Sequence, residues 1–142
     1  DTWDAVIDTN LRGTFLICKY VSAVMKQAAN GVIILASSGA GVTGSSSSLA
    51  YGASKGGVHG FTMVIRQCLE KYGIRVNDVA PSSVRTPLKV ENVKTMHQKR
   101  DMSHKSLQDQ IDALTSPNDV AKIIAFMASD EASLLKGTVF TG

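Results

Sequence analysis

Apolar residues at Trp3, Val6, Ile7, Leu11, Phe15, Cys18, Val21 and Met25 recur mostly at steps of three and four, which puts them on one side of a helix. The spacing predicts one long helix that stops at Asn30-Gly31. Val32 to Ala36 is then an unbroken apolar run of strand length, as a strand buried on both faces of a parallel sheet requires. Ser37 to Ser48 is small and polar, with Gly39, Gly41 and Gly44, and predicts a loop at that strand's C-terminal end. Helical spacing returns from Ala50 to Lys71, with Val58, Phe61, Val64, Ile65, Cys68 and Leu69 as the expected buried side and Tyr72-Gly73 as the stop. Ile74 to Ala80 predicts a second strand, closed by Pro81, which cannot continue a central ladder.

The pattern weakens from Ser82 to Thr115, where Leu107, Ile111 and Leu114 predict one amphipathic helix inside a lid or binding segment. Met96 and Met102 fall in that segment and could line an apolar pocket or serve as filler. Ser116-Pro117-Asn118-Asp119 then combines an N-cap serine, a proline at the first helical position and an acid in the first turn. Val120, Ile123, Ile124 and Met127 follow as a buried face, and Gly137 to Thr141 suits a final strand. The order helix, strand, helix, strand, lid, helix, strand predicts an α/β fold with a Rossmann-like doubly wound parallel sheet and right-handed crossovers. No strand is followed by a phosphate-cradling G-x-G-x-x-G or G-x-x-x-x-G-K-S/T loop. Ser38-Gly39-Ala40-Gly41 lacks the third Gly and runs into serines.

Composition narrows the classes. With 142 residues and 44% apolar content the chain can build one core, and residues 1 to 142 read as a single unit. No apolar run reaches the roughly 18–20 residues that cross a bilayer, so no membrane is expected as partner. The net charge of +3 is spread among acids, and the densest basic stretch, Lys94 to Lys105, lacks interleaved aromatics, so no nucleic acid is expected either. Cys18 and Cys68 lie far apart in helical patterns. Buried free thiols in a reducing, cytoplasmic setting are expected rather than a disulfide. The first residue is Asp1 and no signal-peptide pattern follows, so an upstream segment is expected to be missing. His59, His97 and His104 have no metal-ligand spacing with Cys or acids, and no metal site is expected.

Candidate chemistry centres on Tyr51 and Lys55, four residues apart at the start of the second helix and therefore one turn apart on one face. A phenol in water holds its proton to about pH 10, and an adjacent ammonium favours the phenolate, so such a pair can exchange a proton nearer neutrality. Ser38, thirteen residues before Tyr51, stands at the mouth of a parallel strand, where open α/β sheets place ligands. Asn10, inside an apolar helical pattern, reads from its helix alone as a hydrogen-bonded boundary amide.

Asn10-Leu11-Arg12-Gly13-Thr14-Phe15, Ile34-Leu35-Ala36-Ser37-Ser38, Tyr51-Gly52-Ala53-Ser54-Lys55-Gly56-Gly57 and Tyr72-Gly73-Ile74-Arg75-Val76-Asn77 resemble, in order and spacing, successive landmarks of the short-chain dehydrogenase/reductase family. Pro81 to Thr86 resembles its cofactor-contacting loop, and Ser116 to Ala121 with Ala128-Ser129-Asp130 its final helix. The resemblance implies an NAD(P)-dependent oxidoreductase that interconverts a secondary alcohol and a ketone. In it Tyr51 is the general acid/base, and Lys55 assists Tyr51 and holds the nicotinamide ribose. Ser38 bonds the substrate oxygen, and Asn10 joins a proton relay to Lys55 through water. NAD or NADP would be contacted by Tyr51, Lys55, Pro81, Ser82, Val84 and Thr86. Family members usually carry Gly where this chain has Ser82. Enoyl-reducing members space Tyr and Lys more widely, and epimerase or dehydratase relatives usually carry a further substrate domain. A rival reading is a pseudoenzyme or cofactor-binding regulator with the same fold. The family's Gly-rich first turn and first strands have no counterpart here, so the sheet is expected to be incomplete and the isolated 142 residues inactive. A homodimer or homotetramer is implied through the helices beginning at Trp3 and Ala50, and apolar positions such as Val24 and Val58 are compatible with it.

Overall fold

A computed structural model describes residues 2–44, 46, 48–99 and 106–141. Met102 and His104 lie outside them. Helix α1 (Thr2–Ile7) passes through a π-helical turn (Asp8–Arg12) into α2 (Gly13–Ala28), so the long helix expected from Trp3 is present but widened at its middle by one π turn. Strand β1 (Gly31–Ala36) leads to a short helix α3 (Gly39–Val42), then α4 (Leu49–Glu70) and β2 (Ile74–Pro81). Beyond it come α5 (Pro87–Lys99), α6 (Leu107–Asp112), α7 (Pro117–Ala128), a 3-10 turn (Asp130–Ala132) and β3 (Gly137–Thr141). The stretch expected to hold one helix thus holds two, and the serine-rich loop contains α3.

Local chemistry explains the boundaries. Ser48, Ser106 and Ser116 cap α4, α6 and α7 by accepting a backbone N–H, and Pro117 stands at the first position of α7. The end of α2 is less obvious. Ala29, not Asn30 or Gly31, takes the left-handed conformation there, with φ 49°. An L-residue pays roughly 1–2 kcal/mol in that region. Ala29→Gly is therefore expected to stabilise the protein by about 1 kcal/mol, read as a higher urea midpoint at unchanged slope.

The three strands are parallel in the order β1-β2-β3, with Gly31 opposite Ile74 and Asn77 opposite Gly137. Cys18, Ile33, Leu35, Val58, Leu69, Ile74 and Val76 form the core between the sheet and helices α2 and α4. Arg75 points to the opposite face, where its guanidinium donates to the carbonyls of Met127, Ser129 and Ala132 at the end of α7. Helices α4 and α7 therefore cover opposite faces of the sheet. Two successive steps in one direction across a sheet, on opposite faces, must differ in hand, so the right-handed expectation holds for only one of the two crossovers.

Burial corrects several residue-level expectations. Val58 is a core residue, as its helical spacing predicts, and is not available to a partner, whereas Val24 is 67% exposed. Phe15 and Trp3 are half exposed, Val64 is exposed, and Cys68 is an exposed thiol while Cys18 is buried, both unpaired. The reason is shared: α2 and α4 pack on one sheet face and on each other, which uses a narrow stripe of each helix and leaves the rest of its apolar surface outward. No helix among the described residues is long and apolar enough to cross a membrane.

Candidate active site

The C-terminal ends of all three strands open into one cleft of about 880 Å³, where Ala36, Pro81 and Thr141 form part of the lining. Ser38, Tyr51, Lys55, Pro81, Ser82, Val84 and Thr86 all line it. Seven of the eight residues singled out from the sequence therefore meet in one place, built from the β1–α3 junction, the first turns of α4 and the segment after β2.

Ser38 leaves β1 in extended conformation and caps α3, its Oγ accepting from Ala40 N at 3.3 Å. Tyr51 and Lys55 lie on one side of α4, and the Lys55 Nζ stands 5.9 Å from the centre of the Tyr51 ring. The same Nζ donates to the Ala36 carbonyl at 2.8 Å, which fixes the ammonium at the end of β1. Helix α3 packs closely on α4 at this turn: a Cβ on Gly41 would stand 2.3 Å from Gly56 N and 2.5 Å from the Lys55 carbonyl carbon. Glycine at 41 is what lets Ser38 and Lys55 share a wall.

Burial pushes the Lys55 ammonium below the ordinary lysine value of 10.5. The folded state gives up this proton at lower pH than the unfolded chain does. Between the two values the unfolded state holds more protons, so stability contributed at this site rises with pH. Below the lowered value the cost of burying the charge is fully present. Relative to Lys55→Met, the wild-type protein should therefore gain stability as pH rises from neutrality toward 10.5, measured as the difference in urea unfolding free energy across a pH series.

The segment after β2 is braced on both sides. Ser82 N donates to Thr141 O at 3.1 Å, Arg85 N to Thr115 O at 2.9 Å, and Thr115 N to Ser83 O at 3.0 Å. Val84 sits in the resulting parallel bridge with Thr115. The Thr86 hydroxyl accepts from Lys89 N at 3.2 Å and so caps the start of α5.

Asn10 does not line the cleft. It lies in the π turn, donates from Nδ2 to Ser54 Oγ at 3.0 Å, and through Ser54, whose hydroxyl donates to the Tyr51 carbonyl at 2.9 Å, is joined to the helix beneath Tyr51. Ser54 escaped the sequence reading, as did the buried Asp78, although a carboxylate inside a strand of a parallel sheet, where both faces are covered, demands partners. Among the described residues the cleft lining contains two lysines, Lys55 and Lys89, many hydroxyls and no carboxylate, a donor set suited to an anionic nucleotide.

Comparison with known proteins bears on this geometry. A family model described as enoyl-(acyl carrier protein) reductase matches residues 1–141. A 3-oxoacyl-(acyl-carrier-protein) reductase of Thermotoga maritima is 37% identical over 139 residues, covering 98% of this chain and 54% of that protein. A (3R)-3-hydroxyacyl-CoA dehydrogenase of Homo sapiens is 34% identical over 148 residues, covering 97% of this chain and 51% of its own length. Among solved structures, levodione reductase superposes with a TM-score of 0.85 at 28% identity, over 97% of this chain and 55% of that one. The chain spans about half the length of these relatives.

Proposed function

The chain belongs to the short-chain dehydrogenase/reductase family, and from that premise we propose that it serves an NAD(P)-dependent oxidoreductase that interconverts a secondary alcohol and a ketone. The observation that carries this reading is the convergence of Ser38, Tyr51 and Lys55 on one cleft at the carboxyl ends of parallel strands.

In the reducing direction the Tyr51 hydroxyl gives its proton to the carbonyl oxygen, and in the oxidising direction the phenolate takes the hydroxyl proton. Ser38 donates a hydrogen bond to the same oxygen, where negative charge develops. Lys55, anchored on the Ala36 carbonyl, keeps a positive charge near the Tyr51 ring and favours its phenolate form during the transfer. Asn10, through Ser54, holds the backbone under Tyr51, and by its family resemblance would join, through a water, the relay that returns protons to Lys55. Pro81, Ser82, Val84 and Thr86, together with Lys55, would hold NAD or NADP, which when bound supplies or accepts the hydride. The carboxylate-free lining favours that anionic partner, and Ser82 in place of the family's usual Gly is small enough for close approach. Although the matching family model is named for enoyl reduction, the Tyr51 and Lys55 spacing of four favours a carbonyl or alcohol substrate.

Ile17, Tyr20, Val24 and Val64 are more than 60% exposed on α2 and α4, an outward apolar surface that supports pairing with a second copy through these helices.

The test is turnover of the complete protein with a 3-oxoacyl thioester and NADH or NADPH, followed by loss of reduced-nicotinamide absorbance. Steady consumption dependent on both compounds is the expected result. Dinucleotide binding without turnover of any ketone or secondary alcohol in a broad panel would instead establish a regulator.

A further inference from the structure

Asp78 lies in β2 with no solvent access to its side chain, and the reaction outlined above gives this carboxylate no task. A buried carboxylate is tolerated where its oxygens are matched by donors. Here Ser37 donates its hydroxyl to Oδ2, and Thr138 donates to Oδ1 at 2.7 Å. His59 Nδ1 lies 2.9 Å from Thr138 Oγ1 and 3.4 Å from Asp78 Oδ2. Thr138 has one hydroxyl proton and spends it on Asp78, so His59 carries its own proton on Nδ1 and donates it to Thr138. One carboxylate thus gathers the end of β1, the middle of β2, the start of β3 and the side of α4.

The two arms of this cluster differ in what they reach. On the Thr138 side they meet α4, a helix already secured by Val58 and Leu69 in the core. On the other side stands Ser37, the residue next to Ser38, one position beyond the last residue of β1. There Ser37 also meets the Val79 carbonyl, which lies 3.0 Å from Ser37 N and 3.1 Å from Ser37 Oγ. The hydroxyl bond to Asp78 is the added restraint on the direction in which the chain presents Ser38.

We propose that Asp78 is a positioning residue: through Ser37 it fixes the backbone at Ser38 so that the Ser38 hydroxyl meets the substrate oxygen on the Tyr51 side of the cleft. The proposal rests on the roles given above to Ser38 and Tyr51.

The experiment compares Ser37→Ala, Asp78→Asn, Thr138→Val and Ser38→Ala in the complete protein. It measures kcat and KM with a 3-oxoacyl thioester and reduced dinucleotide, dinucleotide Kd, Tm, and amide hydrogen exchange over residues 38–42. Ser37→Ala and Asp78→Asn are expected to lower kcat by about 10- to 100-fold, the cost of a small misplacement of a reacting group. Dinucleotide Kd should stay as in wild type, while exchange over residues 38–42 speeds up. Thr138→Val should lower Tm while leaving kcat and exchange over that segment unchanged. The proposal is overturned if Ser37→Ala keeps wild-type kcat while Ser38→Ala loses it, or if all three cluster variants lose kcat in step with Tm. Should Asp78→Asn fail to fold, Ser37→Ala, which removes a single hydroxyl, decides the matter. If Ser38→Ala leaves turnover intact, the reading of the site itself has failed, and the exchange data still report whether Asp78 fixes this segment.

Discussion

Replacing Tyr51 by Phe is expected to lower turnover by about 10²- to 10⁴-fold, the usual contribution of a positioned acid–base group, while dinucleotide binding is retained. The substitution removes one hydroxyl from a ring that is 39% exposed at the cleft, so packing is barely touched. The ammonium of Lys55 keeps its bond to Ala36, and the segment after β2 proposed to hold the cofactor is braced by Thr141 and Thr115, independently of Tyr51. A fall in kcat with unaltered dinucleotide Kd is the pattern of a group that acts in the transition state. Equal loss of both would assign Tyr51 to binding, and unchanged turnover would remove it from the chemistry.

The second large effect is expected from a residue with no functional group. Gly41→Ala places a methyl within 2.3 Å of Gly56 N and 2.5 Å of the Lys55 carbonyl carbon, both backbone atoms of a long helix that cannot turn aside. Relief requires α3 to move off α4. Overpacking of this kind costs about 1–3 kcal/mol, and because α3 begins at Ser38 the displacement also separates the Ser38 and Lys55 sides of the cleft. The expected outcome is a lower Tm together with turnover reduced beyond what the unfolded fraction explains. Gly60→Ala, in α4 away from the cleft lining and with nothing within 4 Å of an added Cβ, should do neither and serves as the control.

How much of this was legible in the sequence depends on the range of the interaction. Helical spacing puts Tyr51 and Lys55 on one face, since four residues along a helix bring side chains together, but such pairs are common and it is the order and spacing of the surrounding motifs that single this one out. Ser38 was placed by the rule that ligands sit at the carboxyl ends of parallel strands. Asn10 illustrates the reverse: its helix pattern shows a polar position but not the direction of the amide, which depends on a π turn and on Ser54 of another helix. Asp78 was overlooked because its partners, Ser37, His59 and Thr138, come from three other segments, and no local pattern announces such a meeting. The exposure of Phe15 and Val64 was misjudged because periodicity identifies an apolar stripe without saying whether this chain's own sheet is wide enough to cover it.

The placement of Ser38, Tyr51 and Lys55 within one strand–helix–strand unit bears on how the site comes into being. Pairing β1 with β2 closes the chain between Gly31 and Ile74, and that single event, helped by a 22-residue helix in between, brings Ser38, Tyr51 and Lys55 together. Anchoring the segment after β2 takes a second and separate closure, because Ser82 is tied to Thr141 at the end of β3. The groups proposed to handle the proton and the ledge proposed for a nucleotide are thus secured by two different closures of the chain.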